Sequence, residues 1–141
     1  MIVNSDPAAL RILAVEDNVA NQFVLRVLLA ESALGATMAS DGVAALSAWE
    51  TGEWDLILMD IQMPRLDGVG ATREIRRRER MTGRRRTPIL AVTADTDPLH
   101  AEEYFRAGMD GVVPKPIEVS RLFAAINVAI QAEPELILAN G

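Results

Sequence analysis

Five short apolar runs, each three to six residues long and separated from the next by enough chain for a helix, constrain this protein more than any other feature. They are Ile12-Leu13-Ala14-Val15, Ala36 to Ala39, Trp54 to Met59, Pro88 to Val92 and Gly111-Val112-Val113. Most are continuously apolar rather than alternating, which is the pattern of strands buried on both faces. Strands of that kind, interleaved with helices, build one parallel sheet with right-handed crossovers and helices on both sides. The expectation is therefore an α/β domain.

Cap and stop signals place the helices. Asn18 is a suitable N-cap for a first helix from Val19 to about Ser32, with Phe23, Val24, Val27 and Leu28 expected on its buried face. Asp41-Gly42 opens a second from Val43 to about Glu50, and a third runs from about Val69 to Arg80, followed by a loop that begins Met81-Thr82-Gly83. Asp97-Pro98 pairs a cap with proline at the first helical position, and Gly108 closes that fourth helix after about Ala107. The fifth spans about Glu118 to Gln131, with Leu122, Phe123, Ile126 and Ile130 inward.

With 141 residues, half of them hydrophobic, the chain suits a single domain, expected over 11–131 between a flexible leader at 1–10 and a frayed tail at 132–141. The absence of cysteine removes disulfides, thiolate metal sites and cysteine nucleophiles. No apolar segment approaches a membrane span and no secretory h-region is visible, so the expected location is the cytoplasm. The net charge of -6 hides an asymmetry: residues 76–86 alone carry +6, leaving -12 elsewhere. That distribution argues against a general nucleic-acid surface. The arginines are expected in a solvated loop.

In open parallel sheets, ligands bind beyond the carboxyl ends of the strands. Glu16 and Asp17 follow the first strand, Asp60 the third, Thr93 the fourth, and Lys115, the single lysine, the fifth. All five belong on one rim. The arginine loop precedes the fourth strand and so lies at the opposite end, away from this chemistry. Three carboxylates gathered there repel by about 4 kcal/mol per pair at ~4 Å and an effective dielectric near 20, and so call for a cation. Oxygen-only ligands without histidine or cysteine suit a hard ion, and a shallow rim suits Mg²⁺. A carboxylate beside Mg²⁺, a threonine hydroxyl and an ammonium is equipped to accept a phosphoryl group, with an aspartyl phosphate on Asp60 as product. Pro114 and Pro116 restrict the backbone from which Lys115 reaches.

The segments Val15-Glu16-Asp17-Asn18, Met59-Asp60-Ile61-Gln62-Met63-Pro64, Asp67-Gly68, Val92-Thr93-Ala94 and Lys115-Pro116 together resemble the receiver domain of two-component response regulators, over about residues 10–131. The Glu-Asp-Asn-x-x-Asn form from Glu16 to Asn21 is more similar to receivers of hybrid histidine kinases than to those of DNA-binding regulators. The resemblance implies a flavodoxin-like (βα)5 fold, doubly wound, with strand order 2-1-3-4-5. It implies that Asp60 takes a phosphoryl group from a phosphohistidine on a histidine kinase or histidine phosphotransfer protein. Asp17, Asp60 and the backbone carbonyl of Gln62 would ligate Mg²⁺, with Glu16 acting through a water. Thr93, the Ala94 amide and Lys115 would hold the phosphoryl oxygens, while Gln62 and Asp95 would tune hydrolysis. One position departs from the pattern: Val112 stands where the family usually carries an aromatic ring that swings as the threonine moves. Output is therefore expected through helix four or the loop after strand three.

Two other functions compete. An aspartyl-nucleophile, Mg²⁺-dependent phosphatase would share the strand-end aspartate, but such enzymes usually place an acid two residues later, where this chain has Gln62. A nucleotide-binding domain would need a glycine-rich pattern after strand one, which is missing. The expectation is a signalling module rather than a turnover enzyme, acting on a downstream target protein, with no DNA-binding domain and no membrane segment. His100, the single histidine, is expected on the solvated surface and not as a phosphodonor, and Trp49 and Trp54 as packing residues.

Overall fold

In the computed structural model, residues 10–131 are described, so the expected leader and tail lie outside the described residues apart from Leu10. Five strands, β1 (Ile12–Val15), β2 (Ala36–Ala39), β3 (Leu56–Asp60), β4 (Ile89–Thr93) and β5 (Gly111–Pro114), alternate with five helices. The helices are α1 (Val19–Ala30), α2 (Gly42–Thr51), α3 (Gly68–Thr82), α4 (Pro98–Ala107) and α5 (Val119–Gln131). All strand pairs are parallel and the order is β2-β1-β3-β4-β5. The order reverses direction at β1, so the crevice at the carboxyl ends of β1 and β3 is the switch point of the sheet.

Each face of the sheet builds its own core. Leu13, Ile57, Met59, Ile89 and Ala91 pack on one face against Trp49, Ile75 and Tyr104 from α2, α3 and α4. Ile12, Ala14, Leu58, Leu90 and Val92 pack on the other against Leu25 and Leu29 of α1 and Leu122 and Ile126 of α5. The strands β1, β3 and β4 are buried at every position, which is why they are continuously apolar up to the residues that end them. Among the described residues no helix is long and apolar enough to cross a membrane.

Several boundaries differ from expectation. β3 starts at Leu56 rather than Trp54 because the Trp54 indole instead donates to the Ala48 carbonyl at 2.9 Å, tying the end of α2 to the strand entrance. β4 runs one residue later than expected, which makes Thr93 its last residue, and β5 extends to Pro114, tolerated because β5 is an edge strand. α3 continues to Thr82 and is closed by Gly83 in the left-handed region at φ +74, whose N–H donates to the Glu79 carbonyl. α1 ends at Ala30 rather than Ser32.

The largest correction concerns α1. Leu25 and Leu29 face the sheet, Leu28 is half-buried, and Phe23, Val24 and Val27 are 66%, 46% and 47% exposed. The helix is apolar around most of its circumference, so hydrophobic spacing alone fits two different faces, and only the sheet chooses between them. On α5, Leu122 and Ile126 are buried as expected, with Phe123 and Ile130 half-buried beside them.

The arginine segment is not a solvated loop throughout. Arg76 is buried on α3, where it donates to Glu79 at 2.8 Å, to Asp110 at 3.1 Å and to the Gly108 carbonyl at 2.9 Å. Glu79 in turn accepts the Thr87 amide at 2.9 Å, and Asp110 accepts the Ile89 amide and Arg86. Arg84 lies over the Trp49 ring at 3.8 Å and donates to the Trp49 and Gly52 carbonyls. The segment stitches α2, α3 and the entrance of β4 at the amino end of the sheet, opposite the carboxylates.

Candidate functional site

Asp60 terminates β3 at 5% exposure, and the chain must turn immediately behind it. Gly68 makes that turn possible. Its N–H donates to the Ile61 carbonyl at 3.0 Å, and a Cβ there would run into the Asp60 carbonyl oxygen. Asp67 caps α3 through the Gly70 amide at 2.7 Å, and Arg65, at φ +68, reaches back to pair with Asp41, the N-cap of α2. The β3–α3 loop is thus fastened at both ends.

Glu16 and Asp17 arrive from β1. Glu16 is 1% exposed, its backbone N–H paired with the Ala39 carbonyl of β2 at 2.9 Å and its carboxylate accepting the Asn18 amide at 3.1 Å. Asn18 caps α1 by accepting the Asn21 amide, while the Asn21 and Gln22 side chains donate to the Glu16 carboxylate and carbonyl. The Asn-x-x-Asn spacing therefore orients the acidic pair, a role that sequence reasoning did not assign to Asn21. Lys115 enters from the end of β5, its backbone N–H donating to the Thr93 carbonyl, and places Nζ 3.3 Å from Asp60 Oδ1 and 3.2 Å from Glu16 Oε1. Glu16, Asp17 and Asp60 each offer an oxygen within 4.8 Å of the others.

This crowding perturbs the ionisation. The Asp60 carboxyl is pushed up to about 6, first by burial and then by the Glu16 charge, with Lys115 opposing. Burial would lower the Lys115 ammonium, but the Asp60 and Glu16 charges outweigh it and hold it above its ordinary value. Three carboxylates and one ammonium leave two negative charges unmatched in a cleft of about 290 Å³. The five rim residues expected from strand ends, Glu16, Asp17, Asp60, Thr93 and Lys115, line this one cleft, together with Gln62 and Ala94, which the resemblance implies, and with Asn18 and Asn21. The atoms that could ligate an ion are all oxygens, with no histidine or cysteine among them, and the charge deficit matches a hard divalent cation.

Thr93 is 4% exposed and its hydroxyl oxygen accepts the Asp95 amide at 3.0 Å. Asp95 itself does not line the carboxylate cleft. Its carboxylate accepts the Asp97 amide at 3.1 Å and pairs with His100 Nδ1 at 2.5 Å, contacts that hold it below its ordinary value, the Asp97 bond most of all. It lines instead a second cleft of about 560 Å³ between the β3–α3 loop and α4, which Gln62 and Tyr104 also border. His100 is about half exposed, as expected, yet engaged. Val112 lies on β5 in register with Ala91 and packs against the core that contains Tyr104. Tyr104, buried to 3%, was not singled out by sequence reasoning.

A family model described as response regulator receiver domain matches residues 12–127. The chain is 39% identical over 113 residues to the autoinducer 2 sensor kinase/phosphatase LuxQ of Vibrio vulnificus, a match covering 80% of this chain and 13% of that protein. It thus spans only about an eighth of the length of that curated relative. The receiver domain of the sensor histidine kinase PA1611 from Pseudomonas aeruginosa, solved with a magnesium ion in its active-site cleft, superposes with a TM-score of 0.78 at 38% identity, covering 89% of this chain and all of that one. A complex of the Saccharomyces cerevisiae phosphotransfer protein Ypd1 with the receiver domain of Ssk1 gives a TM-score of 0.79 at 30% identity, covering 85% of this chain and 88% of that one.

Proposed function

This chain belongs to the response regulator receiver domain family, and from that premise we propose that it accepts a phosphoryl group onto Asp60 from a phosphohistidine and switches its protein contacts in consequence. The single observation that carries the reading is the convergence of Lys115 on both Asp60 and Glu16, residues 55 and 99 positions away in the chain. Nothing in the packing of a sheet requires an ammonium and two nearly buried carboxylates to meet at that rim.

The residues divide the work. Asp60, Asp17 and the Gln62 carbonyl would hold Mg²⁺, with Glu16 acting through a water, and the bound ion would supply positive charge to the phosphoryl oxygens. The ionised Asp60 carboxylate attacks phosphorus in line, a new P–O bond forms, and the P–N bond to the donor imidazole breaks with its electron pair returning to that nitrogen. Lys115 transfers its contact from Asp60 to a phosphoryl oxygen, and the Thr93 hydroxyl and the Ala94 amide donate to the others. Asp95 and Gln62 flank the site and tune loss of the phosphoryl group.

The donor protein would be a histidine kinase or a histidine phosphotransfer protein, a reading supported by the Ypd1 complex and by the surface of α1. Val19, Phe23 and Val27 follow one another at intervals of four residues and are all exposed, forming an apolar stripe that starts just beyond Asp17. A helical donor seated there would bring its histidine to the cleft. The downstream element is a second protein that distinguishes the two states of this one.

Incubation with Mg²⁺ and acetyl phosphate, followed by intact mass measurement, tests the assignment. A single phosphate adduct on the wild type and none on Asp60→Asn is the expected result. An adduct that persists on Asp60→Asn removes Asp60 from its role, and sustained hydrolysis of ordinary phosphomonoesters would instead favour a phosphatase.

A further inference from the structure

The arginines of α3 fall into two groups. Arg76 is held inside the protein by Glu79, Asp110 and the Gly108 carbonyl, and Arg78 pairs with Glu74 at 2.7 Å and reaches Glu50. Arg73, Arg77 and Arg80 are all exposed and recur at intervals of four and three residues, so they share one stripe of the helix. Arg106 of α4 adds a fourth exposed guanidinium across the groove between the two helices. The cleft they line, of about 470 Å³, is bordered by Arg76 as well and, among the described residues, by Glu74 as its single carboxylate.

The stability of α3 does not explain this stripe. Like charges three and four residues apart on a helix work against it, and Arg73 with Arg77, Arg77 with Arg80, and Arg76 with Arg80 all stand at such spacings. Compensation is incomplete. Glu74 is shared between Arg77 at 2.6 Å and Arg78, and Arg106 has the exposed Glu102 at 3.2 Å. Among the described residues Arg73 and Arg80 have no ion pair. Four exposed guanidiniums against two carboxylates leave an excess of positive charge at the groove, in a chain whose net charge is -6.

We propose that the α3–α4 groove is a docking surface for an acidic segment of a partner protein, one that presents two or three carboxylates over about 10 Å, the distance from Arg73 to Arg80 along the helix. A planar guanidinium offers paired donors that match the two oxygens of a carboxylate, and an exposed pair such as Arg106 with Glu102 yields to an incoming one at little cost. The tract is too short and too bounded for nucleic acid: Arg73 also borders the 560 Å³ cleft, where Asp67, Asp95 and Glu103 would meet any polyanion that continued past it. Helices α3 and α4 cover the opposite face of the sheet from α1, so this partner and a donor on the α1 stripe can be held together. The surface goes beyond the acceptor chemistry of Asp60 and does not depend on it.

Fluorescein-labelled hexaglutamate, titrated with the full chain at low salt and followed by anisotropy, tests the surface. Binding should saturate, and it should weaken as salt is raised. The double variant Arg73→Gln, Arg80→Gln should bind about 2- to 25-fold more weakly, the worth of two exposed ion pairs, while keeping the wild-type urea midpoint. Arg85→Gln, which removes an exposed charge from the far part of the arginine segment, should bind as the wild type does. Absence of saturable binding, a double variant that binds as tightly as the wild type, or a comparable loss in Arg85→Gln would overturn the proposal. Tighter binding of hexathymidylate than of hexaglutamate at equal salt would overturn it in favour of a nucleic-acid partner. All of these readouts are taken without a phosphodonor, so they stand apart from the test of Asp60.

Discussion

Replacing Asp60 with asparagine should make the metal-free protein more stable, although it abolishes the proposed chemistry. The Asp60 carboxyl, pushed up to about 6 from an ordinary 3.8, is disfavoured as an anion by burial and by Glu16 even after Lys115 has contributed its attraction. Two pK units correspond to about 3 kcal/mol, an upper bound once relaxation of the cleft is allowed, so a gain of about 1–3 kcal/mol is expected. The sign follows from linkage. A carboxyl whose folded pKa lies above its unfolded value favours folding relative to the ionised reference at low pH, and that benefit is lost as pH rises through about 6. Asparagine cannot titrate, so the advantage of Asp60→Asn should be absent below about pH 4 and complete above about pH 7. Urea unfolding in EDTA across that range would show it as a midpoint shift of roughly 1 M at pH 8, given the usual denaturant slopes. Adding Mg²⁺ to 100 times its dissociation constant should return about 2.7 kcal/mol to the wild type and little to the variant, closing the gap. A variant less stable than the wild type at pH 8 in EDTA, or a difference that does not change with pH, would refute the electrostatic account of the cleft.

Gly68→Ala should destabilise by several kcal/mol, measurable as a lowered urea midpoint, because the added Cβ meets the Asp60 carbonyl and neither backbone can retreat. Arg76→Ala should cost about 3–5 kcal/mol in the same assay, since it strands the nearly buried Glu79 and removes a partner from Asp110; a loss below 1 kcal/mol would mean that the network is dispensable. Phe23→Glu should leave phosphate uptake from acetyl phosphate at the wild-type rate while slowing transfer from a phosphohistidine protein roughly tenfold or more, read by following radiolabelled phosphate. Equal loss from both donors would place Phe23 in the fold rather than in recognition.

The sheet and its rim were legible because their signals are local. Buried parallel strands must be apolar throughout, so the carboxylate that ends Leu56-Ile57-Leu58-Met59 and the lysine that follows Gly111 to Pro114 stand out, and the parallel topology alone sends both to the same edge. What failed depends on which neighbour a residue meets. Phe23, Val24 and Val27 have the spacing of a buried face, but Leu25 and Leu29 have it too, and the choice belongs to the sheet. Arg76 has the composition of a solvated run, yet Glu79 and Asp110, one from its own helix and one 34 residues on, draw it inside. Tyr104 carried no signal because its burial is decided by the sheet face that α4 covers. Asp95 lines the neighbouring cleft rather than the carboxylate one, and its pairing with His100 was not legible even though Asp97 and Pro98 announce the start of α4, because it depends on where the side chains turn.

The outward side of α1 has a consequence for how such a module can change over time. Leu25 and Leu29 keep the helix attached, Asn18 and Asn21 at its start keep the acidic pair in place, and Val19, Phe23 and Val27 do neither. On the docking proposed above, loyalty to one donor would be written in positions that packing and the acidic pair leave free, so a handful of surface exchanges would redirect the wiring without touching the cleft.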